Sequence, residues 1–175
     1  TLTYHEGIPG HIWQGEYTFK LPLVRALIAF NSYSEGWALY AEQIADELGV
    51  YEDDPLGRLG YLQSMSFRAC RLVVDTGIHA KRWTREQAIR WMAETNGSTV
   101  EEVQGEIDRY CNWPDRACGY KVGHVEINRL RDKAKAALGP RFDVRRFNDA
   151  LVRGGNVPMD VLAANIDRYI AATPA

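Results

Sequence analysis

Two histidines and a glutamate stand within seven residues near the start of the chain, in His5-Glu6-Gly7-Ile8-Pro9-Gly10-His11. Neutral imidazole nitrogens hold zinc well, and a carboxylate beside such a site can take a proton from an activated water. This is the residue set of a zinc hydrolase. In the common HExxH arrangement the histidines are four apart and share one helix face. Here they are six apart, and on an unbroken helix they would diverge by roughly 120°. The helix cannot be regular, however. The ring of Pro9 meets the carbonyl of His5, four residues earlier, and proline has no N–H to give it. Gly7 and Gly10 loosen the same turn. An unwound turn over residues 7–10 permits His11 to swing back to the side His5 faces, without requiring it.

A second acidic stretch follows, Ser34-Glu35-Gly36-Trp37-Ala38-Leu39-Tyr40-Ala41-Glu42. Catalytic zinc commonly takes three protein ligands and a water. Glu35 and Glu42 are two helical turns apart and share a face. Glu35, at the expected start of a helix and beside Gly36, is the candidate third ligand. Glu42 either supports a histidine from behind or is a surface residue.

Two further groups carry polar chemistry. Arg71, Asp75 and His79 recur every four residues, which either lines a cleft or makes a chain of ion pairs along one helix. Arg109, Tyr110 and Tyr120 flank the loop Asn112-Trp113-Pro114-Asp115. An arginine and phenols so placed can bind a carboxylate or steady an oxyanion; they can equally cap and pack helices.

The elements that must position these residues read as helices throughout. Phe19–Leu23 is a break at Pro22. Apolar spacing at Trp37, Ala41, Ile44 and Leu48 gives a helix over 33–48, stopped by Gly49. Pro55 is placed to open the next helix, from about Leu56 to Lys81, with a bend expected near Thr76-Gly77. Thr84-Arg85-Glu86-Gln87 and Thr99-Val100-Glu101-Glu102 are capping boxes. The first opens a helix through Glu94, ended by Asn96-Gly97; the second opens one to about Cys111. A long helix over Gly119–Leu138 and two shorter ones, Val144–Arg153 and Met159–Ile170, complete the chain. No alternating run is long enough for a confident strand, and no repeat is present. The expectation is one all-α domain over residues 1–175 with little or no sheet.

Composition bounds the function classes. Of 175 residues, 21 are Lys or Arg and 23 Asp or Glu, a net charge of −2. No dense basic run suggests a nucleic-acid surface. No apolar run approaches the roughly 20 residues that span a bilayer. Three cysteines without a CxxC pattern argue against a disulfide framework and a thiolate metal site; Cys111 and Cys118, on either side of a loop, could pair across it, but reduced structural cysteines are the expectation. The first motif lies four residues from the start of the chain. The chain is therefore expected to be the C-terminal, catalytic half of a longer polypeptide, with the N-terminal half as its partner in forming a cleft. Compartment and oligomeric state are not legible.

Taken in order, HEGIPGH, SEGWALYAEQIADELG, RLVVDTGIHAKRWTREQAI, EIDRY with WP, Tyr120 and Gly123, LRDKAKAALGPRFDVRRF and GGNVPMDVL resemble the C-terminal half of the bacterial domain-of-unknown-function 885 family, grouped with gluzincin-type zinc metallopeptidases. The resemblance spans nearly the whole chain. It implies a helical metallopeptidase fold and hydrolysis of a peptide or small amide substrate. It implies zinc on His5, His11 and Glu35, with Glu6 as general base. By analogy with related helical peptidases, Tyr120 and His79 are the candidates to steady the oxyanion. Arg109, Tyr110 and Arg71 are candidates for substrate contacts. A non-catalytic helical binding module, or a zinc hydrolase of non-peptide amides or esters, are the alternatives. The chain departs from the family pattern at Ile12, usually a second histidine, at Asp115-Arg116 in the usual PGQA, and at Asn148 in the usual FHD. These departures bear on substrate contacts, not on the four core residues.

Overall fold

The computed structural model describes residues 1–174. Among them every regular element is helical: α1 Leu2–Glu6, α2 His11–Thr18, α3 Leu23–Leu27, α4 Asn31–Glu47, α5 Pro55–Lys81, α6 Arg85–Asn96, α7 Val100–Asn112, α8 Gly119–Leu138, α9 Val144–Val152 and α10 Met159–Ala172, with one 3₁₀ turn at Gly139–Arg141. The all-α expectation holds.

Local chemistry accounts for many of the boundaries. Thr84 Oγ1 accepts from the Gln87 N–H at 3.1 Å and Thr99 Oγ1 from the Glu102 N–H at 3.2 Å, so both predicted caps are made. Asp54 caps α5 in the same way, ahead of Pro55. Gly97 ends α6 at φ 71°, a conformation open to glycine at little cost. α5 continues as one helix through Thr76-Gly77 to Lys81. Gly77 serves packing, since a Cβ there would lie 2.6 Å from the Trp83 ring.

α4 and α8 form the spine. Their closest approach is at Gly36 and Gly123, where a Cβ on Gly36 would stand 2.6 Å from the Gly123 backbone and one on Gly123 would stand 1.7 Å from Ser32 O. On one side, Tyr33, Trp37 and Tyr40 of α4 and Ile127 and Leu130 of α8 bury against Phe147 of α9 and Ile166 of α10. On the other, Cys70 and Val74 of α5 pack with Met92 of α6 and Val103, Ile107 and Tyr110 of α7. The two cores leave a seam between α4, α5 and α8, and α1 lies against α4 over it.

Candidate metal centre

The histidine motif is a helix, a break and a second helix. α1 ends at Glu6 and α2 begins at His11, with Gly7–Gly10 between them. Pro9 lies where its ring forbids continuation. Gly10 is needed sterically, because a Cβ there would sit 1.9 Å from His5 O. The indole N–H of Trp37 donates to Pro9 O at 2.9 Å, with Gly10 O at 3.3 Å. Trp37 is two residues beyond Glu35, so the same helix that carries the carboxylate also ties down the unwound turn.

His5, His11 and Glu35 consequently converge, with one ligand atom from each lying within 4.8 Å of the others. Glu35 Oε2 is 3.4 Å from His5 Nε2 and 3.3 Å from His11 Nε2. The rings of His5 and His11 meet edge-on, with centroids 5.0 Å apart. Glu35 is not at the helix start, as sequence suggested, but on the second turn of α4, which carries it down to the depth of His5. Burial pushes its pKa up, yet the close imidazoles of His11 and His5 outweigh this and hold it at about 2. Burial pulls the other way on His5, but Glu35 and Glu42 overcome it and raise that pKa.

Glu42 belongs to the centre rather than the surface. It is fully buried, and its Oε1 lies 2.8 Å from His5 Nδ1. A proton on Nδ1 donated to Glu42 leaves the Nε2 lone pair facing Glu35 and His11. Ser64 donates to the second Glu42 oxygen at 3.0 Å, and Arg68 approaches Oε1 at 3.8 Å.

Two imidazole nitrogens and a carboxylate oxygen converging with an open side suit a small divalent cation. Glu35 Oε2 is a buried oxygen without a hydrogen-bond donor of good geometry, an acceptor that a cation would satisfy. Glu6, the last residue of α1, is exposed, with no ion pair among the described residues. The Tyr120 ring stacks on His5 at 6.3 Å. Burial raises the Tyr120 pKa, with Glu35 adding to it and Arg71 opposing, so the phenol keeps its proton.

The other sequence candidates form a supporting group beyond Tyr120. The guanidinium carbon of Arg71 lies 4.4 Å from the Tyr120 ring centroid. Its Nε donates to Tyr110 Oη at 2.7 Å and its Nη2 to Glu106 at 2.7 Å. Tyr110, buried, donates to the same Glu106 oxygen at 2.6 Å, and Arg109 pairs with it from the exposed side at 2.6 Å. His79 is not brought to the trio: its Nε2 lies 3.0 Å from Tyr110 O, where it fixes the backbone of α7. Asp75, from the same stripe, is buried and accepts the Asp115 N–H at 3.2 Å, which pins the 113–118 turn.

Sequence reasoning missed Arg68 and Ser64. Arg68 lies three and Ser64 seven residues before Arg71 on α5, so the Arg71 helix face followed N-terminally at i−3 and i−7, rather than by steps of four alone, would have found both. Of the departures, Ile12 is exposed beside the trio, while Asn148 accepts from Tyr40 Oη at 3.0 Å in the α4–α9 core. The cysteines are free thiols; burial, with Asp75 and Asp115 nearby, pushes Cys118 to about 12. Among the described residues no helix is long and apolar enough to cross a membrane.

The chain belongs to the bacterial protein family of unknown function DUF885, whose profile matches residues 1–166. A solved structure described as "the putative lipoprotein from Colwellia psychrerythraea" superposes with a TM-score of 0.94 at 52% identity, over 97% of this chain and 30% of that one. A second, "a putative lipoprotein of unknown function from Shewanella oneidensis", gives 0.87 at 30% identity, over 93% of this chain and 30% of that one. This chain thus spans under a third of the length of either relative. No curated protein matches it.

Proposed function

We propose that the chain carries the catalytic half of a zinc-dependent hydrolase of the gluzincin kind, acting on peptide or small amide bonds. What carries the reading is the convergence of His5, His11 and Glu35 within 4.8 Å, with His5 braced from behind by buried Glu42. Two imidazoles and one carboxylate are a donor set of catalytic rather than structural zinc, since a position stays open. A zinc ion held by His5, His11 and Glu35 would supply Lewis-acid chemistry for the scissile carbonyl and would make a bound water acidic enough to lose a proton near neutrality. Glu6, exposed at the end of α1, takes that proton and later returns it to the leaving amine. Tyr120, kept protonated, donates to the oxygen on which negative charge develops. His79, held on the Tyr110 carbonyl, serves by holding α7 rather than by touching substrate. The remainder of a polypeptide of the relatives' length supplies the opposite wall of the cleft.

The test is metal content together with hydrolysis of short peptides and amides by zinc-replete full-length protein. One zinc per chain and chelator-sensitive turnover are expected. Glu6→Gln keeps the metal and loses about 10²- to 10⁴-fold in turnover, whereas His11→Ala loses the metal. Metal-free protein after zinc-replete purification sinks the reading, as does unchanged turnover in Glu6→Gln.

A further inference from the structure

Tyr120 is the second residue of α8, and a first helical turn leaves more than one χ1 and χ2 setting open to a phenol. Its ring nevertheless lies within 16° of parallel to the His5 imidazole, with centroids 6.3 Å apart. A hydroxyl that must meet one developing charge works only if that ring is held in place. Arg71 is placed to hold it. Its guanidinium carbon stands 4.4 Å from the Tyr120 centroid, closer than to the Phe67 ring at 5.2 Å or the Tyr110 ring at 5.7 Å. A planar, delocalised cation of this kind lies flat on a π face.

Arg71 is itself fixed from behind. Its Nε donates to Tyr110 Oη and its Nη2 to Glu106 Oε2, both at 2.7 Å. The same Glu106 oxygen accepts from Tyr110 and from Arg109, both at 2.6 Å. The other two members of the Arg71, Asp75, His79 stripe act on the same side chain by way of the backbone. His79 meets the Tyr110 carbonyl at 3.0 Å near the end of α7. Asp75 accepts the Asp115 N–H at 3.2 Å, in the turn that leads into α8. One face of α5 thus fixes the exit from α7, the entry to α8 and the ring that α8 presents to His5.

Nothing in this arrangement offers Arg71 to a solute. The residue is 7% exposed, two of its nitrogens are engaged, and the third, Nη1, is buried. Its effect on chemistry has to pass through a neighbour, and the neighbour that borders the trio is Tyr120.

Resting on the zinc-hydrolase reading above, in which Tyr120 donates to the oxyanion, we propose that Arg71 is a positioning residue. Glu106 and Tyr110 hold its guanidinium, and the guanidinium holds the Tyr120 ring against His5. Arg71 therefore governs the rate of the chemical step rather than the affinity for substrate.

The experiment uses full-length protein labelled with 3-fluorotyrosine, the Tyr120 fluorine resonance being assigned by its loss in Tyr120→Phe. Arg71→Met is expected to shift and broaden that resonance in metal-free and zinc-loaded protein alike, because the ring is then free to turn. Arg71→Lys keeps the charge without the planar fork and recovers only part of the parent signal. Kinetics on the zinc-loaded protein, with the short peptides and amides of the hydrolysis test, supply the second readout. Tyr120→Phe is expected to lose about 10²- to 10³-fold in kcat. Arg71→Met loses at least about tenfold in kcat, with KM within about threefold of the parent. In the Tyr120→Phe background, Arg71→Met costs less than about threefold more, since a residue acting through the phenol has nothing left to act on. Should Arg71→Met fail to fold, Arg71→Lys and Glu106→Gln, which loosens Arg71 from behind, carry the same comparisons. A Tyr120 resonance unmoved by the loss of Arg71 overturns the proposal. Additive losses in the double variant, or a raised KM at unchanged kcat, overturn it too, since Arg71 then acts independently of Tyr120. A protein that takes up no zinc and hydrolyses none of the probes refutes the hydrolase reading alone, because the fluorine resonance still decides whether Arg71 holds Tyr120.

Discussion

His5 Nδ1 lies 2.8 Å from Oε1 of Glu42, a carboxylate with no exposed surface on the same helix as Glu35. One helix therefore supplies both a carboxylate in front of the imidazole and the carboxylate that orients it from behind. Burial works to raise the Glu42 pKa, but the His5 hydrogen bond and Arg68 hold it below the usual range, so the brace is charged. Bracing of this kind sets the tautomer and raises the basicity of the free nitrogen. Glu42→Gln preserves the shape while removing the charge. It is expected to weaken zinc binding by about 10- to 100-fold, read by competition with a chromophoric chelator. Affinity equal to that of the parent protein would remove Glu42 from the site.

The Gly36–Gly123 contact sets the depth at which Glu35 meets the histidines, because Gly36 adjoins Glu35 and a Cβ there would stand 2.6 Å from opposing backbone. Backbone cannot swing aside as a side chain can. Gly36→Ala or Gly123→Ala should cost about 1–3 kcal/mol or more through overpacking, and should weaken metal binding in proportion to the separation forced. Gly105, exposed in α7 with nothing within 4 Å of a built Cβ, is the control. Gly105→Ala should stabilise by roughly 0.5–1 kcal/mol. Denaturant midpoints for the three variants check the contrast; a Gly36→Ala protein as stable as its parent would show that α4 and α8 are not held together there.

The turn after α7 contains a strained residue. Asp115 has φ 72°, where a side chain is disfavoured, and its N–H is tied to buried Asp75. Glycine takes such a φ freely. Asp115→Gly is expected to raise stability by roughly 0.5–1 kcal/mol and Asp115→Val to lower it by about 1–2 kcal/mol. Thermal melting of the pair checks this; a destabilised Asp115→Gly would mean that the aspartate side chain contributes more than its backbone conformation costs.

Much of this was legible from local rules. The caps at Thr84 and Thr99 involve residues three apart, and the break at Pro9 follows from the proline ring alone, so the element order could be read without knowing the partners. The trio could be nominated but not assembled. Whether His11 swings back depends on the Trp37 indole holding the Pro9 carbonyl from 28 residues away. The depth of Glu35 depends on a glycine contact between helices 87 residues apart in sequence, Gly36 and Gly123. Glu42 was ambiguous because a heptad spacing fixes a helix face but not what covers it. His79 shared the periodicity of Arg71, yet the end of α7 placed a backbone carbonyl in front of it. Periodicity names the face; only the packed neighbour says what that face does.

The seam between α4 and α8 also contains a histidine whose charge state should govern acid stability. His124 Nε2 lies 2.8 Å from Gln43 Oε1, and its Nδ1 lies 3.2 Å from the Lys121 ammonium, with Asn128 completing the cluster. Burial, then Lys121, lowers its pKa from 6.5 to about 4, with Glu42 opposing weakly. Between those values the unfolded chain binds a proton that the folded chain refuses. Stability from this residue is therefore complete above about pH 6.5, falls as pH drops through that window, and levels off below about 4. The loss should amount to roughly 1–3 kcal/mol, reduced from the full shift because the ring is partly exposed. His124→Gln can still bond Gln43 but cannot take up a proton, so its stability should change less between pH 6.5 and 4. Urea denaturation at several pH values across that window measures the difference, and parallel curves for parent and variant would place the acid lability in the buried carboxylates instead.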